Sequence, residues 1–179
     1  MIDDLVDLKT YCPKVVIALS RGKEEKALLK KSVADRLNVA ADLLPEGVRF
    51  IIKAAYRTEA IQKEIYEDYY NKFKMANPSW SDSRVKEETD KFVAPYSGLH
   101  KSAHMLGNAI DVRLIKNGKR LPMVSKKLSF AENALTKQTK LPKYIRKNRK
   151  IMFDALLQAG FKNLPNEYWH WFYKGRLRI

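Results

Sequence analysis

Apolar positions recur at helical spacing near the start of the chain. Over residues 23–43 they fall three and four apart, which predicts an amphipathic helix. The positions on its apolar face are Leu28, Leu29, Val33, Leu37 and Ala40. Pro45 and Gly47 end this pattern. The segment VRFIIKAAY (48–56) follows, and its β-branched and aromatic residues predict a short buried strand.

Two further helices are predicted in the next part of the chain. Thr58 can cap the first at its N-terminus, and this helix extends to about Met75. Ser81 or Ser83 can cap the second, which extends to about Phe92.

The C-terminal half mixes strands with one long helix. Its patterns predict a strand over NAIDVRLI (108–115), a mostly irregular stretch over 120–141, a helix over 144–159 and a final strand over EYWHWFYKG (167–175). Asn117-Gly118 is a turn signal behind the first strand, and Gly160 suits a helix C-cap. We therefore predict an α+β fold over one domain (1–179), with a small, mainly antiparallel sheet flanked by helices.

The net charge of the chain bears on long-range attraction to partners and does not alter the predicted fold. The chain of 179 residues carries a formal net charge of +15, with the densest basic stretch at KYIRKNRK (143–150). Such a surface attracts nucleic acid, acidic lipid or an anionic wall polymer alike. We expect no nucleic acid partner, because no basic helix or aromatic platform stands in a recognised arrangement.

Cysteine content and the N-terminus bear on the compartment. Cys12 is the only cysteine, so no intramolecular disulfide can form. The first residues are acidic, and the apolar run VVIAL (15–19) is too short for a signal peptide or a membrane span. These features predict a cytoplasmic chain, with leaderless export and an N-terminally trimmed chain left open. Oligomeric state is not predicted.

Candidate chemistry lies in two short clusters. The first is Ser102-x-His104-x-x-Gly107-x-Ala109-x-Asp111, and the second is Glu167-Tyr168-Trp169-His170. Two imidazoles and one carboxylate are a donor set for catalytic zinc, which leaves its fourth position to water. A separate carboxylate is then needed to move the proton of that water. Taken singly, each residue also suits a structural hydrogen bond or a surface charge.

The spacing within each cluster indicates how the side chains converge. His104 lies on the loop that enters a strand, Asp111 lies near the start of that strand, and Gly107 lets the backbone turn tightly between them. Glu167 and His170 are three apart, so on a regular strand they would face opposite sides. We therefore expect Glu167 in the turn before the final strand.

Together the two clusters are similar to motifs of a known family. SAHMLGNAID resembles the S-x-H-x-x-G-x-A-x-D motif, and EYWH the E-x-W-H motif, of the D-Ala-D-Ala peptidase family. That family includes D-alanyl-D-alanine dipeptidases of the vancomycin-resistance type, zinc D,D-carboxypeptidases and phage endolysins. AAYR (54–57) resembles the D-A-Y-R segment of the dipeptidase subgroup, and VDLK (6–9) and FVAP are similar to its N-terminal segments. The resemblance extends from Val6 to Tyr173.

The resemblance implies a D-Ala-D-Ala peptidase/Hedgehog-like fold with the metal site on its sheet. It implies one Zn²⁺ per chain, held by His104, Asp111 and His170, with Glu167 as general base and acid. Arg57 matches the arginine that stabilises the oxyanion, and a fixed guanidinium suits that task. We expect Ser102 and Tyr56, which lie in the same motifs, to contact substrate.

One segment departs from the dipeptidase pattern. Known members carry D-M-G-T-x-F-D after the strand that holds the aspartate, and its acidic group helps to bind the free amine of the dipeptide. This chain reads PMVSKKLSF (122–130), so Met123 and Phe130 remain, but the carboxylate is missing and Lys126 and Lys127 stand there. Glu132 is a weak candidate to replace that carboxylate.

Four functions therefore stay open. The leading one is hydrolysis of D-Ala-D-Ala or of related peptidoglycan stem peptides. The enzymatic alternatives are a D,D-carboxypeptidase and an endolysin-like L-alanyl-D-glutamate peptidase. The alternative from another class is a catalytically silent binding protein that keeps the zinc fold.

Overall fold

The computed structural model describes residues 4–21, 26–97 and 101–173. The helices are α1 (Leu8–Tyr11), α2 (Lys31–Asp42), α3 (Glu59–Ala76), α4 (Asp82–Asp90), α5 (Phe130–Ala134) and α6 (Lys143–Gln158). The strands are β1 (Leu5–Asp7), β2 (Val16–Ile17), β3 (Leu28–Lys30), β4 (Val48–Ala54), β5 (Ala109–Lys116), β6 (Lys119–Arg120), β7 (Lys162–Leu164) and β8 (Glu167–Phe172). No helix among the described residues is long and apolar enough to cross a membrane.

A mainly antiparallel sheet organises the chain, as predicted. Its strands lie in the order β2-β4-β5-β8-β7, with β6 paired beside β5, while β1 and β3 form a separate pair. Among the described strands of this sheet, β2 and β4 are the one pair that runs parallel. The α+β prediction is confirmed.

The two faces of β5 have different environments. Ile110, Val112 and Leu114 are fully buried and belong to the core that also contains residues of α2 and α6. Asp111 and Arg113 alternate with them and are only partly buried. Because successive strand residues face opposite sides, β5 fixes the core with one face and presents charged groups on the other.

The predicted helix over 23–43 is wrong in its first part. Leu28 and Leu29 lie in β3, where they pair with Asp7 and Val6 of β1, and the helix begins only at Lys31. Residues 22–25 lie outside the described part of the chain. Apolar spacing fitted a helix here, but strand pairing across a distant segment decided the conformation.

The other long elements agree with their patterns. Thr58 caps α3 by accepting a hydrogen bond from the Ile61 N–H, and Ser81 caps α4 in the same way through the Arg84 N–H. Gly160 has a φ of 89°, the left-handed conformation expected at a helix C-cap. The final strand ends at Phe172, and residues 174–175 of its predicted range lie outside the described residues.

The stretch over 120–141 holds a short helix that periodicity did not predict. Ser129 and Glu132 form a capping box at the start of α5, and Glu132 also forms an ion pair with Lys140. Because both carboxylate oxygens of Glu132 have partners, it is a local structural group, and its suggested role as the substrate's amine ligand finds no support here.

A buried arginine ties this stretch to α6. Arg149 is 3% exposed and donates to the carbonyl oxygens of Met123, Asn133 and Leu135 at 2.6–2.9 Å. Its guanidinium also lies 3.6 Å from the centre of the Tyr168 ring. One charged side chain thus donates to three carbonyl oxygens of this stretch.

We expect Arg149→Met to lower the free energy of unfolding by about 3 kcal/mol, because three carbonyls lose a charged donor. Chemical denaturation monitored by circular dichroism measures this. Lys147→Met is the matched control, since Lys147 is exposed on the same helix, and a change within about 0.5 kcal/mol is expected there. Equal effects of the two substitutions would contradict the assigned role.

Candidate metal centre

His104, the first candidate metal ligand, lies on a tight turn that leads into β5. The Leu106 N–H donates to the carbonyl of Ser102, and the Gly107 N–H to that of His104. Gly107 has a φ of 67°, and a Cβ at this position would lie 2.8 Å from Leu5 Cδ2. Only glycine meets both conditions without strain, so Gly107 brings the chain back toward Asp111 as predicted.

Strand pairing brings in the other two donors. Asp111 on β5 lies directly opposite His170 on β8 in the antiparallel register. Opposed side chains on one sheet face are within direct reach of each other. His170 Nδ1 lies 3.1 Å from Asp111 Oδ1 and 3.1 Å from His104 Nε2, and His104 Nε2 lies 3.3 Å from the same Asp111 oxygen.

The protonation states of His104 and Asp111 favour binding of a cation between their side chains. His104 Nδ1 lies 2.7 Å from the carbonyl oxygen of Ala55, which can only accept, so Nδ1 carries the proton and Nε2 offers a lone pair. Burial lowers the pKa of His104, against the opposing effect of Asp111. Burial alone would raise the pKa of Asp111, but His104, His170 and Arg57 hold it well below its usual range.

These three side chains form the one cluster among the described residues that could hold a metal ion. Their donor atoms lie within 4.8 Å of one another. Two imidazole nitrogens and one carboxylate oxygen match the preferences of zinc, and such a set leaves a coordination position open. The third histidine, His100, lies outside the described residues.

Glu167 lies beside this cluster, but it is not where the spacing placed it. It is the first residue of β8 and does not precede the strand. The pairing of β7 with β8 is irregular between Asn163 and Leu164, so regular alternation fails and Glu167 shares a cavity with His170. Its Oε2 lies 3.9 Å from His170 Nδ1. Burial and the nearby Asp111 raise its pKa.

Arg57 lies just beyond the end of β4. Its Nη2 donates to Asp111 Oδ2 at 2.8 Å, and its backbone N–H donates to the His104 carbonyl at 3.2 Å. The side chain therefore orients a candidate metal ligand. A guanidinium has five N–H donors, so one bond to Asp111 leaves others for a bound molecule.

Two cavities meet at the cluster, and both are lined by Arg57, Asp111 and Trp169. The acid–base cavity, of about 330 Å³, contains Glu167, His170, His104, Ser102 and Gln62. The basic cavity, of about 360 Å³, contains Arg21, Lys26, Lys53, Lys72 and Arg113. Of the two expected substrate contacts, Ser102 lines the acid–base cavity and Tyr56 lines the basic cavity. An extended peptide that occupies both cavities would therefore lie across the metal centre.

Gln62 is a site residue that the sequence analysis missed. It is 1% exposed, and its Nε2 donates to the Ala94 carbonyl at 2.7 Å. Its Oε1 is buried and has no hydrogen-bond partner among the described residues. The available signal was its spacing, because Gln62 lies four residues before Tyr66 on the buried face of α3.

Comparison with known proteins agrees with this geometry. The family model VanY: D-alanyl-D-alanine carboxypeptidase matches residues 26–176. No curated protein matches the chain significantly. The chain therefore belongs to the VanY family of D-alanyl-D-alanine carboxypeptidases, within the D-Ala-D-Ala peptidases that its motifs resemble.

Two solved structures share the fold at low sequence identity. The first is a mutant of the vancomycin resistance D,D-pentapeptidase VanY from a VanB-type resistance cassette, in complex with Zn(II). It has 16% identity and a TM-score of 0.51, over 93% of this chain and 82% of that chain. The second is VanYB in complex with D-alanine-D-alanine, with 18% identity and a TM-score of 0.52, over 84% of this chain and 74% of that chain.

We expect one equivalent of Zn²⁺ to bind the metal-free protein and raise its melting temperature. Asp111→Asn should weaken binding by at least about tenfold, because a neutral amide replaces an ionised ligand. Isothermal titration calorimetry with Zn²⁺ measures the affinity. Asp42→Asn is the control, since Asp42 is exposed at the end of α2. Wild-type affinity in Asp111→Asn would exclude Asp111 as a ligand.

Proposed function

We propose that this chain is a zinc-dependent D,D-carboxypeptidase, which removes the terminal residue from peptidoglycan-derived peptides ending in D-Ala-D-Ala. His104, Asp111 and His170 hold the zinc ion, Glu167 is the general base and acid, and Arg57 stabilises the oxyanion. The convergence of the three donors beside Glu167 is the observation that carries this proposal.

Zinc in such a site lowers the pKa of bound water and polarises a carbonyl group. Residues of the chain transfer the protons and stabilise the negative charge that develops on the substrate. Glu167, whose pKa is raised by burial and by the nearby Asp111, accepts a proton at its carboxylate and then donates it to the leaving amine. Arg57 keeps Asp111 in place through Oδ2 and offers its remaining N–H groups to the carbonyl oxygen of the substrate.

The lining of the two cavities favours longer peptides over the free dipeptide. Asp111 and Glu167 are the only acidic residues among their described linings, and both belong to the metal centre. Among the described lining residues, no further carboxylate remains to bind the ammonium group of free D-Ala-D-Ala. A peptide whose penultimate residue is acylated has no ammonium group at that position. Its binding therefore does not require a carboxylate there.

Dipeptidase activity is the second candidate function. AAYR (54–57) favours it, because that segment resembles the dipeptidase subgroup and places Arg57 at the metal centre. The two candidates differ in one product measurement. We expect D-alanine release from an N-acylated peptide ending in D-Ala-D-Ala at a kcat/KM well above that for the free dipeptide. The reverse order would establish the dipeptidase.

An L-alanyl-D-glutamate peptide tests the endolysin-like alternative in the same assay.

We expect Glu167→Gln to retain zinc and to lose turnover by at least about 10³-fold, because the ligands remain while the base is absent. Chromatographic detection of D-alanine, with zinc content measured on the same sample, gives both quantities. Glu46→Gln is the control, since Glu46 is exposed before the start of β4 and is not among the described lining residues of either cavity. Full activity in Glu167→Gln would contradict the mechanism, and inactivity of the wild-type zinc protein on every peptide would favour a binding protein.

Arg57→Gln separates the two tasks of that residue. At saturating zinc we expect kcat/KM to fall by about 10²–10³-fold, because the oxyanion loses a charged donor. Zinc affinity should fall by about tenfold, because Asp111 loses its hydrogen-bonded partner. If added zinc restored full activity, Arg57 would only orient Asp111.

A further inference from the structure

The basic cavity has a charge imbalance that the proposed reaction does not use. Six of its lining side chains are cationic, namely Arg21, Lys26, Lys53, Arg57, Lys72 and Arg113, and Asp111 is its one acidic lining residue among those described. Such a lining attracts an anionic group to a position next to the metal centre.

Some of these cations are neutralised by the protein itself. Arg21 forms ion pairs with Glu64 and Asp68, and Arg57 with Asp111. Arg113 differs, because among the described residues it contacts no carboxylate. Its Nη1 donates to the Val112 carbonyl at 3.1 Å. The half-buried Arg113 guanidinium therefore has donors left for an anion.

Aromatic rings hold this guanidinium at a defined place. It lies 4.7 Å from the centre of the Tyr168 ring and 5.1 Å from that of Trp169. Stacking on aromatic faces suits arginine and leaves the edge of its fork exposed to a partner. Trp169 lines both cavities, and Arg113 lines the basic cavity beside it.

The distance from the metal centre identifies the part of the substrate that Arg113 reaches. Arg113 lies two residues after Asp111 on the same face of β5, which separates their backbones by about 7 Å. An extended peptide advances about 3.5 Å per residue. Glu167 donates to the leaving amine from the acid–base cavity, so the leaving residue lies there and the acyl side lies in the basic cavity. With the carbonyl of the penultimate D-alanine at the metal centre, the backbone of the preceding residue lies about 3.5 Å further along the peptide. A side chain at that position then covers the remaining distance to Arg113.

We propose that the basic cavity is a subsite for a carboxylate carried by the residue immediately before D-Ala-D-Ala, and that Arg113 is the residue that selects it. This inference rests on the proposed carboxypeptidase function. A guanidinium fork binds a carboxylate through two parallel hydrogen bonds, whereas a carboxamide can satisfy only part of the fork. A cationic side chain at that substrate position would be repelled.

Three N-acetylated peptides that differ only at this position test the subsite on the wild-type protein. They are acetyl-L-Glu-D-Ala-D-Ala, its L-Gln analogue and its L-Lys analogue. We expect kcat/KM for the glutamate peptide to exceed that for the glutamine peptide by about tenfold or more, with the lysine peptide slowest. Equal rates on all three would overturn the subsite and leave the carboxypeptidase function standing.

Arg113→Gln should abolish the preference for glutamate over glutamine. Arg120→Gln is the matched control, because it removes the same charge from exposed β6, outside the described lining of either cavity. The control should keep the wild-type preference. If both variants lost it equally, the preference would come from overall charge, and the subsite at Arg113 would be overturned.

A binding measurement separates failure of the subsite from failure of the proposed function. Titration of zinc-loaded Glu167→Gln protein with the three peptides should give the tightest affinity for glutamate, and this advantage should vanish when Arg113→Gln is added. Equal affinities would overturn the subsite. If the peptides bind in this order but the wild-type protein releases no D-alanine from any of them, the carboxypeptidase function fails and the subsite stands.

Discussion

The antiparallel pairing of β5 with β8 is the constraint on which the whole site depends. It places Asp111 opposite His170, so two donors separated by 59 positions in the chain meet on one sheet face. The opposite face of β5 is packed in the core through Ile110, Val112 and Leu114. A slip of one residue in this register would bury the charged groups and expose the core, so packing energy and site geometry enforce the same alignment.

Around this pair, hydrogen bonds complete the centre. The Ala55 carbonyl fixes the tautomer of His104, and Arg57 holds the second oxygen of Asp111. Both partners come from the end of β4, which pairs with β5 on the other side. Three adjacent strands and the segments that flank them therefore supply the donors and their immediate supports. Such hydrogen bonds orient the side chains of His104 and Asp111 toward a shared metal position.

The sequence allowed prediction of most long elements and of the convergence of His104, Asp111, His170 and Glu167, since caps and short motifs are local. The convergence of His104 with Asp111 followed from the glycine between them. Other features depended on distant contacts. Leu28 and Leu29 joined a strand because β1 lies beside them, and Glu167 reached the site through irregular pairing with β7. The net charge of the chain did not predict a basic cavity, because the charge of a cavity depends on which cationic side chains the fold places together.

We expect one zinc ion to be held by His104, Asp111 and His170. Diffraction from crystals grown with zinc, recorded above and below the zinc absorption edge, tests it most directly. We predict one strong anomalous peak per chain within coordination distance of His104 Nε2, His170 Nδ1 and Asp111 Oδ1. A zinc peak bound by other residues, with these three side chains unchanged and unliganded, would contradict it.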